Sequence, residues 1–487
     1  MNLRSLIAAV LCITTISLFA QSDLPGDFLS KEFHKERRQK LREKMPPNSV
    51  SVFFANPVRN RANDVDFVYH QDPNFFYLTG YTEPDAVLLI FKDNQIAANG
   101  KFYNEIIFVQ PRDAMREMWT GRRLGDAGVK NTLGFEQSFN NTEFKKYNVD
   151  FSKLSQVLFY DFFNDVRNNP ADSSDLYSLI EDFKVKVNYD AANGMTVSRE
   201  QRKNNLNLTA LDGYMRELRG VKTEEELEMI RKAVLVSCQG QIEVMKAIKP
   251  GMSEREIQGI HEFVFKKYQA EDVGYPSIVG AGHNGCILHY IENYRPEISS
   301  KDLILMDLGA EYHGYTADIT RTIPISGKFT PDQKAIYDIV LKAQEAAMKK
   351  VKPGVSFAEL NQVTKDVVNK GLKDLGIIKS LDEDHMYYPH GCCHHIGLDV
   401  HDKGFRDAIQ ENMTFTIEPG IYIPENSNCD PRWWGIAVRI EDDFRSTKNG
   451  YEHLSDLAPR TTEDIEATMK LPSPLDNFIL PDLKNKK

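Results

Sequence analysis

The sequence predicts an α/β (α+β) protein of two domains, a smaller mixed α/β domain followed by a larger one built as an internal duplication about a pseudo-twofold axis. Three observations carry this expectation. A chain of 487 residues is too long for one ordinary core. A polar stretch at 198–207 interrupts the apolar pattern, and a short segment of the second half occurs twice. With 41% hydrophobic and 27% charged residues the composition is that of a soluble globular protein. The net charge of -10 gives no basic surface to neutralise phosphates, so DNA and RNA are excluded as expected partners.

In chain order, the first element is an apolar run at 6–20, preceded by Arg4 and followed by the polar Gln21, Ser22 and Asp23. Its length, basic start and small residue at Ala20 read as a secretory signal over residues 1–20, too short for a comfortable membrane span. The expectation is export to a periplasmic or secreted location, cleavage near Ala20 and no membrane span afterwards. A buried N-terminal helix or strand is the alternative, while lipid attachment at Cys12 is disfavoured because Leu11 is not a small residue. Cleavage leaves Cys238, Cys286, Cys392, Cys393 and Cys429, an odd number in a chain of this size, so no disulfide framework is expected and the fold rests on its core.

Residues 21–210 form the expected N-terminal domain. Its apolar runs at 49–55, 87–91 and 105–109 suit buried strands. The second domain, 211–470, opens on a clear helix start, in which Thr223 and Glu226 form a capping box ahead of Leu227, Ile230 and Val234 at helical spacing. A tail, 471–487, follows it.

The repeat lies inside this second domain. The segment MKAIKPGMS at 245–253 returns as MKKVKPGVS at 348–356, each copy ending one helix and starting another with a capping glutamate, Glu256 or Glu359. Two copies are too few for a solenoid, and convergent turn chemistry is the alternative to a duplicated half. Strand-like sequence with two acidic residues follows each helical stretch. Residues 303–307 and 315–322 flank a turn at 311–314, and 413–418 and 435–441 are expected to pair across a longer excursion. Each half thus brings two carboxylates to a shared interior, Asp307 with Asp318 and Glu418 with Glu441.

An aspartate among neighbours such as Ile304, Leu305, Met306, Ile319 and Thr320 must be paired, hydrogen-bonded or metal-bound, because isolated burial of its charge costs several kcal/mol. Ion pairing with Arg321 or Arg439 is the plain alternative. The segment HGCCHHIGLDVHD at 390–402 shifts the balance, since it adds the spaced histidines His390, His394 and His401 beside glycines that permit close backbone approach. A thiolate zinc site at Cys392 and Cys393 is disfavoured, for it needs separated pairs of ligands and no Cys-x-x-Cys stands elsewhere.

At these residues the sequence resembles aminopeptidase P, one of the pita-bread metallopeptidases that also include prolidase and methionine aminopeptidase. The matching motifs are ILHY at 287–290, MDLGAEYHGYTADITRT at 306–322, the histidine segment, TIEPGIYI at 416–423 and VRIEDD at 438–443. In the N-terminal domain YHQDPNFFYLTGYTEPDAVLLI at 69–90 and PRDAMREMWTGRRLG at 111–125 extend the likeness and favour aminopeptidase P over prolidase. The resemblance implies a pita-bread catalytic domain that removes the residue preceding proline at a peptide's N-terminus, through a dinuclear metal centre and a bridging hydroxide.

It also implies five metal ligands, with Asp307 on one ion, Asp318 and Glu441 bridging, and His394 with Glu418 on the other. His289, His390 and His401 fall to the substrate pocket, His289 and His401 with catalytic roles, and Glu418 is placed to take the water's proton. Arg439 either positions Glu441, binds substrate or makes a structural ion pair. An oxygen-rich ligand set suits two manganese ions per subunit, with zinc, cobalt or iron as the other candidates. Cys392, Cys393 and His395 depart from the family's usual small and aromatic residues without touching the ligand set. A prolidase and a non-enzymatic pita-bread binding module are the competing readings, and a homo-oligomer is left open.

Overall fold

The computed structural model describes residues 26–97, 99–189, 205–478 and 480. The leader expected at 1–20 and residues 479 and 481–487 of the tail expected at 471–487 lie outside the described residues. No helix among the described residues is long and apolar enough to cross a membrane.

The three apolar runs of the N-terminal domain become three adjacent strands, Phe102–Val109, Val87–Ile96 and Ser49–Phe54, inside a six-stranded sheet completed by Ser138–Asn140, Gln156–Phe159 and Leu206–Asn207. Both faces of the Ser49–Phe54 strand are covered, so its whole length is buried. Val50, Val52 and Phe54 face Leu179, Ile180 and Phe183 of the helix Leu176–Lys186. Phe53 points the other way, with Leu88 and Ile90, toward Phe33 and Leu41 of the helix Lys31–Lys44. That alternation is the period of two a strand imposes.

The two domains share a core. Phe75, Tyr77 and Leu78 pack in one cluster with Met229, Ile230, Tyr315, Ile319 and Leu398. Polar bonds lock the same seam: Tyr77 donates to the carbonyl of Leu218 at 2.8 Å, and buried Arg219 joins Asn74, Asp399 and Asp402. The helix Ala210–Gly220, at the expected boundary, is therefore part of the interface.

In the second domain the helix Glu224–Ala247 opens on the Thr223–Glu226 capping box, with Glu226 N–H to Thr223 Oγ1 at 3.3 Å and Thr223 N–H to Glu226 Oε2 at 2.9 Å. The repeated segment joins this helix to Glu254–Lys267, and in its second copy joins Pro331–Met348 to Phe357–Asp374. Ser253 and Ser356 cap the following helices as expected. The reciprocal box forms at Ser356 and Glu359, while at Ser253 the cap is one-sided. There the neighbouring Glu254 is the buried acid, accepting from the amides of Ala281 and Arg295 and from the Tyr290 hydroxyl.

Strand pairing in the second half differs from the expectation. Thr414–Ile417 pairs with Asp442–Thr447, and Gly420–Ile423 pairs with Ile436–Arg439, so 413–418 does not lie against 435–441. The two pairs are one long hairpin broken in the middle. Pro419 has no N–H to give a ladder, and the amide of Glu441 bonds instead to Thr320 O at 3.1 Å, in the other half. The first half repeats the design: Leu303–Leu308 pairs with Ile319–Pro324 and Ala310–Tyr312 with Tyr315–Thr316. Its break falls at Gly309, where a Cβ would collide with the Ala317 carbonyl, and at Asp318, whose amide bonds to Asp443 Oδ2 at 3.0 Å. Both kinks place their acids at the seam between the halves.

Candidate metal centre

Asp307 is the last residue but one of the buried strand Leu303–Leu308, Asp318 and Glu441 stand at the kinks, and Glu418 precedes the proline of the second kink. His394 meets them from the histidine segment. Its Nε2 lies 3.4 Å from Asp318 Oδ2, 3.5 Å from Glu418 Oε1 and 3.7 Å from Glu441 Oε1. Asp307 joins through Tyr275, whose hydroxyl is 2.5 Å from both Asp307 Oδ1 and Asp318 Oδ1. Asp318, His394 and Glu441 thus offer ligand atoms within 4.8 Å of one another, with Glu418 beside His394 and Asp307 linked through Tyr275.

The supports of this cluster are as specific as its members. Arg439 donates to Asp307 Oδ2 at 2.6 Å, to the Tyr422 hydroxyl at 2.8 Å and to Thr320 Oγ1 at 3.2 Å, and Thr320 in turn donates to Glu441 Oε2 at 2.7 Å. Arg439 is therefore ion-paired with Asp307 and linked through Thr320 to Glu441. Arg321, the other arginine considered for a ligand aspartate, pairs with Asp442 at 2.6 Å in a fully buried contact.

His390 sits at the edge, its Nε2 2.8 Å from the Tyr422 hydroxyl and its Nδ1 3.7 Å from Glu418 Oε2. The His401 ring lies 4.2 Å from that of His394, and His289 is within electrostatic reach of both His390 and His401. Burial holds the pKa of His390 and of His401 down to about 4, so near neutrality each is an uncharged imidazole able to accept or donate one hydrogen bond. From His401 a cavity of about 440 Å³ runs between the domains, lined by His70, Gly274, Glu311 and Asp399 among others.

Cys392 and Cys393 are not part of the cluster. Their sulfurs lie 3.1 Å apart in an apolar pocket with Met413, Phe415 and Ile417, and burial pushes the Cys393 thiol well above its ordinary range. Cys392 contributes its carbonyl, which accepts from Glu418 N–H at 2.8 Å. Tyr275, Thr320, Tyr422 and Asp443 escaped the sequence reading. Thr320, Tyr422 and Asp443 lie within the quoted motifs, but nothing in periodicity or spacing marks a hydroxyl or a supporting acid for that role.

The donor set fits divalent metal. Glu441 Oε1 is buried without a hydrogen-bond partner, an arrangement that costs free energy unless a cation takes the lone pair. Burial, and then repulsion from Glu441, pushes Asp318 and Glu418 well above the usual carboxylate range. His394 is raised too: burial pulls it down, but the carboxylates of Asp318, Glu441 and Glu418 around its Nε2 outweigh that. Asp307 moves the opposite way, since Arg439 overcomes the effect of burial.

These shifts fix a pH dependence for the metal-free protein. Groups whose folded pKa is raised stabilise the fold below their unfolded values, about 4 for the carboxylates and about 6.5 for His394, and lose that contribution as pH rises through the folded values. The contribution of Asp307 is already complete above about pH 4 and stays constant. Chelation should therefore lower the melting temperature more at about pH 8 than at about pH 5. Differential scanning fluorimetry with confirmed metal loss checks this, and equal melting temperatures with and without metal at the higher pH would contradict it.

Known proteins match both halves of this architecture. Residues 228–448 match metallopeptidase family M24, and residues 34–159 match the N-terminal domain of aminopeptidase P. The chain is 34% identical over 461 residues to the Xaa-Pro aminopeptidase of Escherichia coli K12, covering 91% of this chain and 98% of that protein. This chain belongs to the aminopeptidase P group of metallopeptidase family M24. The Haemophilus influenzae Xaa-Pro aminopeptidase is 35% identical over 455 residues, again across 91% of this chain and 98% of its relative. Among solved structures, Pseudomonas aeruginosa aminopeptidase PepP superposes with a TM-score of 0.79 at 35% identity, covering 91% of this chain and 98% of that one. Escherichia coli aminopeptidase P, solved with the inhibitor Pro-Leu, superposes equally well at 32% identity and the same coverage. As a member of this group the chain is a metallopeptidase of the aminopeptidase type, and its fold is the two-domain aminopeptidase P fold.

Proposed function

We propose that this M24 member is an Xaa-Pro aminopeptidase, releasing the N-terminal residue that precedes proline, with two manganese ions per subunit. The observation that carries the reading is the convergence of Asp318, Glu418 and Glu441 within 3.7 Å of His394 Nε2, with Glu441 Oε1 left without a protein partner. Asp307 would hold one ion, His394 with Glu418 the other, and Asp318 with Glu441 both. Four carboxylates and one imidazole form a hard, oxygen-rich set that suits manganese, with zinc, cobalt or iron as competitors. Divalent ions in such a set lower the pKa of water toward neutrality and stabilise negative charge developing on the scissile carbonyl.

The chain's own groups divide the remaining work. Glu418, whose Oε1 lies 3.5 Å from His394 Nε2, would accept the proton of the attacking water as a carboxylate. His401, uncharged near neutrality, would hydrogen-bond the peptide carbonyl with His289 beside it, and His390, hydrogen-bonded to Tyr422, would line the proline side. Arg439 keeps Asp307 ionised and aimed. The substrate reading is supported by the names of the Escherichia coli and Haemophilus influenzae relatives, both Xaa-Pro aminopeptidases.

Steady-state kinetics on an Xaa-Pro dipeptide and on an Xaa-Pro tetrapeptide with the same first residue test it. The tetrapeptide should show kcat/KM at least about tenfold higher, since extra contacts of the leaving peptide add transition-state binding. Preference for the dipeptide would make the enzyme a prolidase, and no cleavage of either by metal-loaded protein would leave a binding module. We also propose export: the basic start and apolar run at 6–20 direct the chain out of the cytoplasm, with the mature protein starting near Gln21. N-terminal sequencing of the fractionated protein should give a start near Gln21 outside the cytoplasm, and an intact Met1 inside it would contradict this.

A further inference from the structure

The two copies of the repeat share a second feature, upstream of the turn. Gln241 stands as far before Met245 as Gln344 stands before Met348, so the two glutamines hold the same place in the two halves. Each lies on the long helix that leads into its turn, and each is completely buried. Gln241 Nε2 donates to Met306 O at 3.2 Å and to Ile319 O at 3.0 Å. Gln344 Nε2 reaches Ile417 O at 3.0 Å, Ile440 O at 3.3 Å and Asp442 Oδ2 at 2.8 Å.

Every one of these four carbonyls belongs to a residue adjacent to a candidate ligand. Met306 precedes Asp307, Ile319 follows Asp318, Ile417 precedes Glu418 and Ile440 precedes Glu441. The amides thus sit where each hairpin splits and donate to backbone carbonyls on both of its sides. Turning either amide over would set its oxygen against two carbonyls, so the donor face is fixed. Gln241 Oε1 has no partner, a cost that an apolar side chain of the same size would not carry. Gln344 Oε1 is satisfied by Arg460 Nη1 at 2.8 Å.

We infer that Gln241 and Gln344 are a symmetry-related pair of positioning residues, each clamping one kinked hairpin so that its two carboxylates keep the spacing a pair of metal ions requires. This rests on the dinuclear reading above. Gln241 governs Asp307 and Asp318, and Gln344 governs Glu418 and Glu441. Because Asp318 and Glu441 serve both ions, the ligands that distinguish the ions are Asp307 on one side and Glu418 with His394 on the other. Loss of Gln241 therefore weakens chiefly the ion held by Asp307, and loss of Gln344 chiefly the ion held by Glu418 and His394.

Calorimetric titration of Mn²⁺ into chelator-stripped full-length protein tests the division, with Gln241→Met and Gln344→Met as apolar replacements of similar shape. Asp307→Asn and His394→Ala mark which binding step belongs to which ion. Gln241→Met should weaken the step that Asp307→Asn weakens, by about tenfold to a hundredfold, and Gln344→Met the step that His394→Ala weakens. Melting temperatures of the metal-free variants separate this from a general loss of stability, which would move both steps together. Should either methionine variant fail to fold, Gln241→Glu and Gln344→Glu keep the length and, when protonated, one donor, and the same split is expected at smaller size. Equal weakening of both steps in both variants, or two unchanged steps, would overturn the inference alone. A single step in the unsubstituted protein would overturn the dinuclear reading and, with it, this division.

Discussion

Glu418→Gln is expected to lower kcat/KM on an Xaa-Pro peptide by about a thousandfold or more, since the substitution removes both a ligand oxygen and the group placed to accept the water's proton. Glu418 is set for this by its surroundings: its amide is pinned to Cys392 O at 2.8 Å, and Oε1 lies 3.5 Å from His394 Nε2. His394→Ala should be as damaging by a different route, because it takes the imidazole from the five expected ligands and leaves Asp318, Glu418 and Glu441 to repel one another. Metal analysis beside the kinetics distinguishes the two causes. Near-normal turnover in Glu418→Gln would remove the proton acceptor from the mechanism.

His401→Ala is expected to keep its metal and still lose roughly tenfold to a thousandfold in turnover. The His401 ring lies 4.2 Å from that of His394, so it borders the ions' place. Its pKa of about 4 leaves it uncharged near neutrality, which suits a hydrogen bond to the substrate carbonyl. Retained metal with an unchanged KM and a lower kcat is the pattern of a contact made in the transition state. Loss of one ion in this variant would make His401 a ligand.

Much of the fold was readable because local signals and packing agree. The runs within Ser49–Phe54, Val87–Ile96 and Phe102–Val109 are rich in apolar residues and buried on both faces, and the Thr223–Glu226 box marks its helix start to the residue. The strand pairing at 413–418 was misread because the decisive facts are nonlocal. Pro419 interrupts a ladder whose partner lies beyond a long excursion, and the amide of Glu441 finds Thr320 in the other half. The acids themselves stood out as charges among β-branched neighbours. Their supports did not, because the Tyr275 hydroxyl, Thr320 and the two buried glutamines acquire meaning only when strands distant in sequence meet.

Product analysis by mass spectrometry on one pair of peptides, identical except for proline or alanine in the second position, tests the account most directly when combined with metal counting on the same sample. The metal-loaded protein should contain two manganese ions per chain, release only the first residue of the proline peptide, and leave the alanine peptide essentially intact. Cleavage of both peptides alike, or cleavage of neither by protein carrying its full complement of metal, would contradict it.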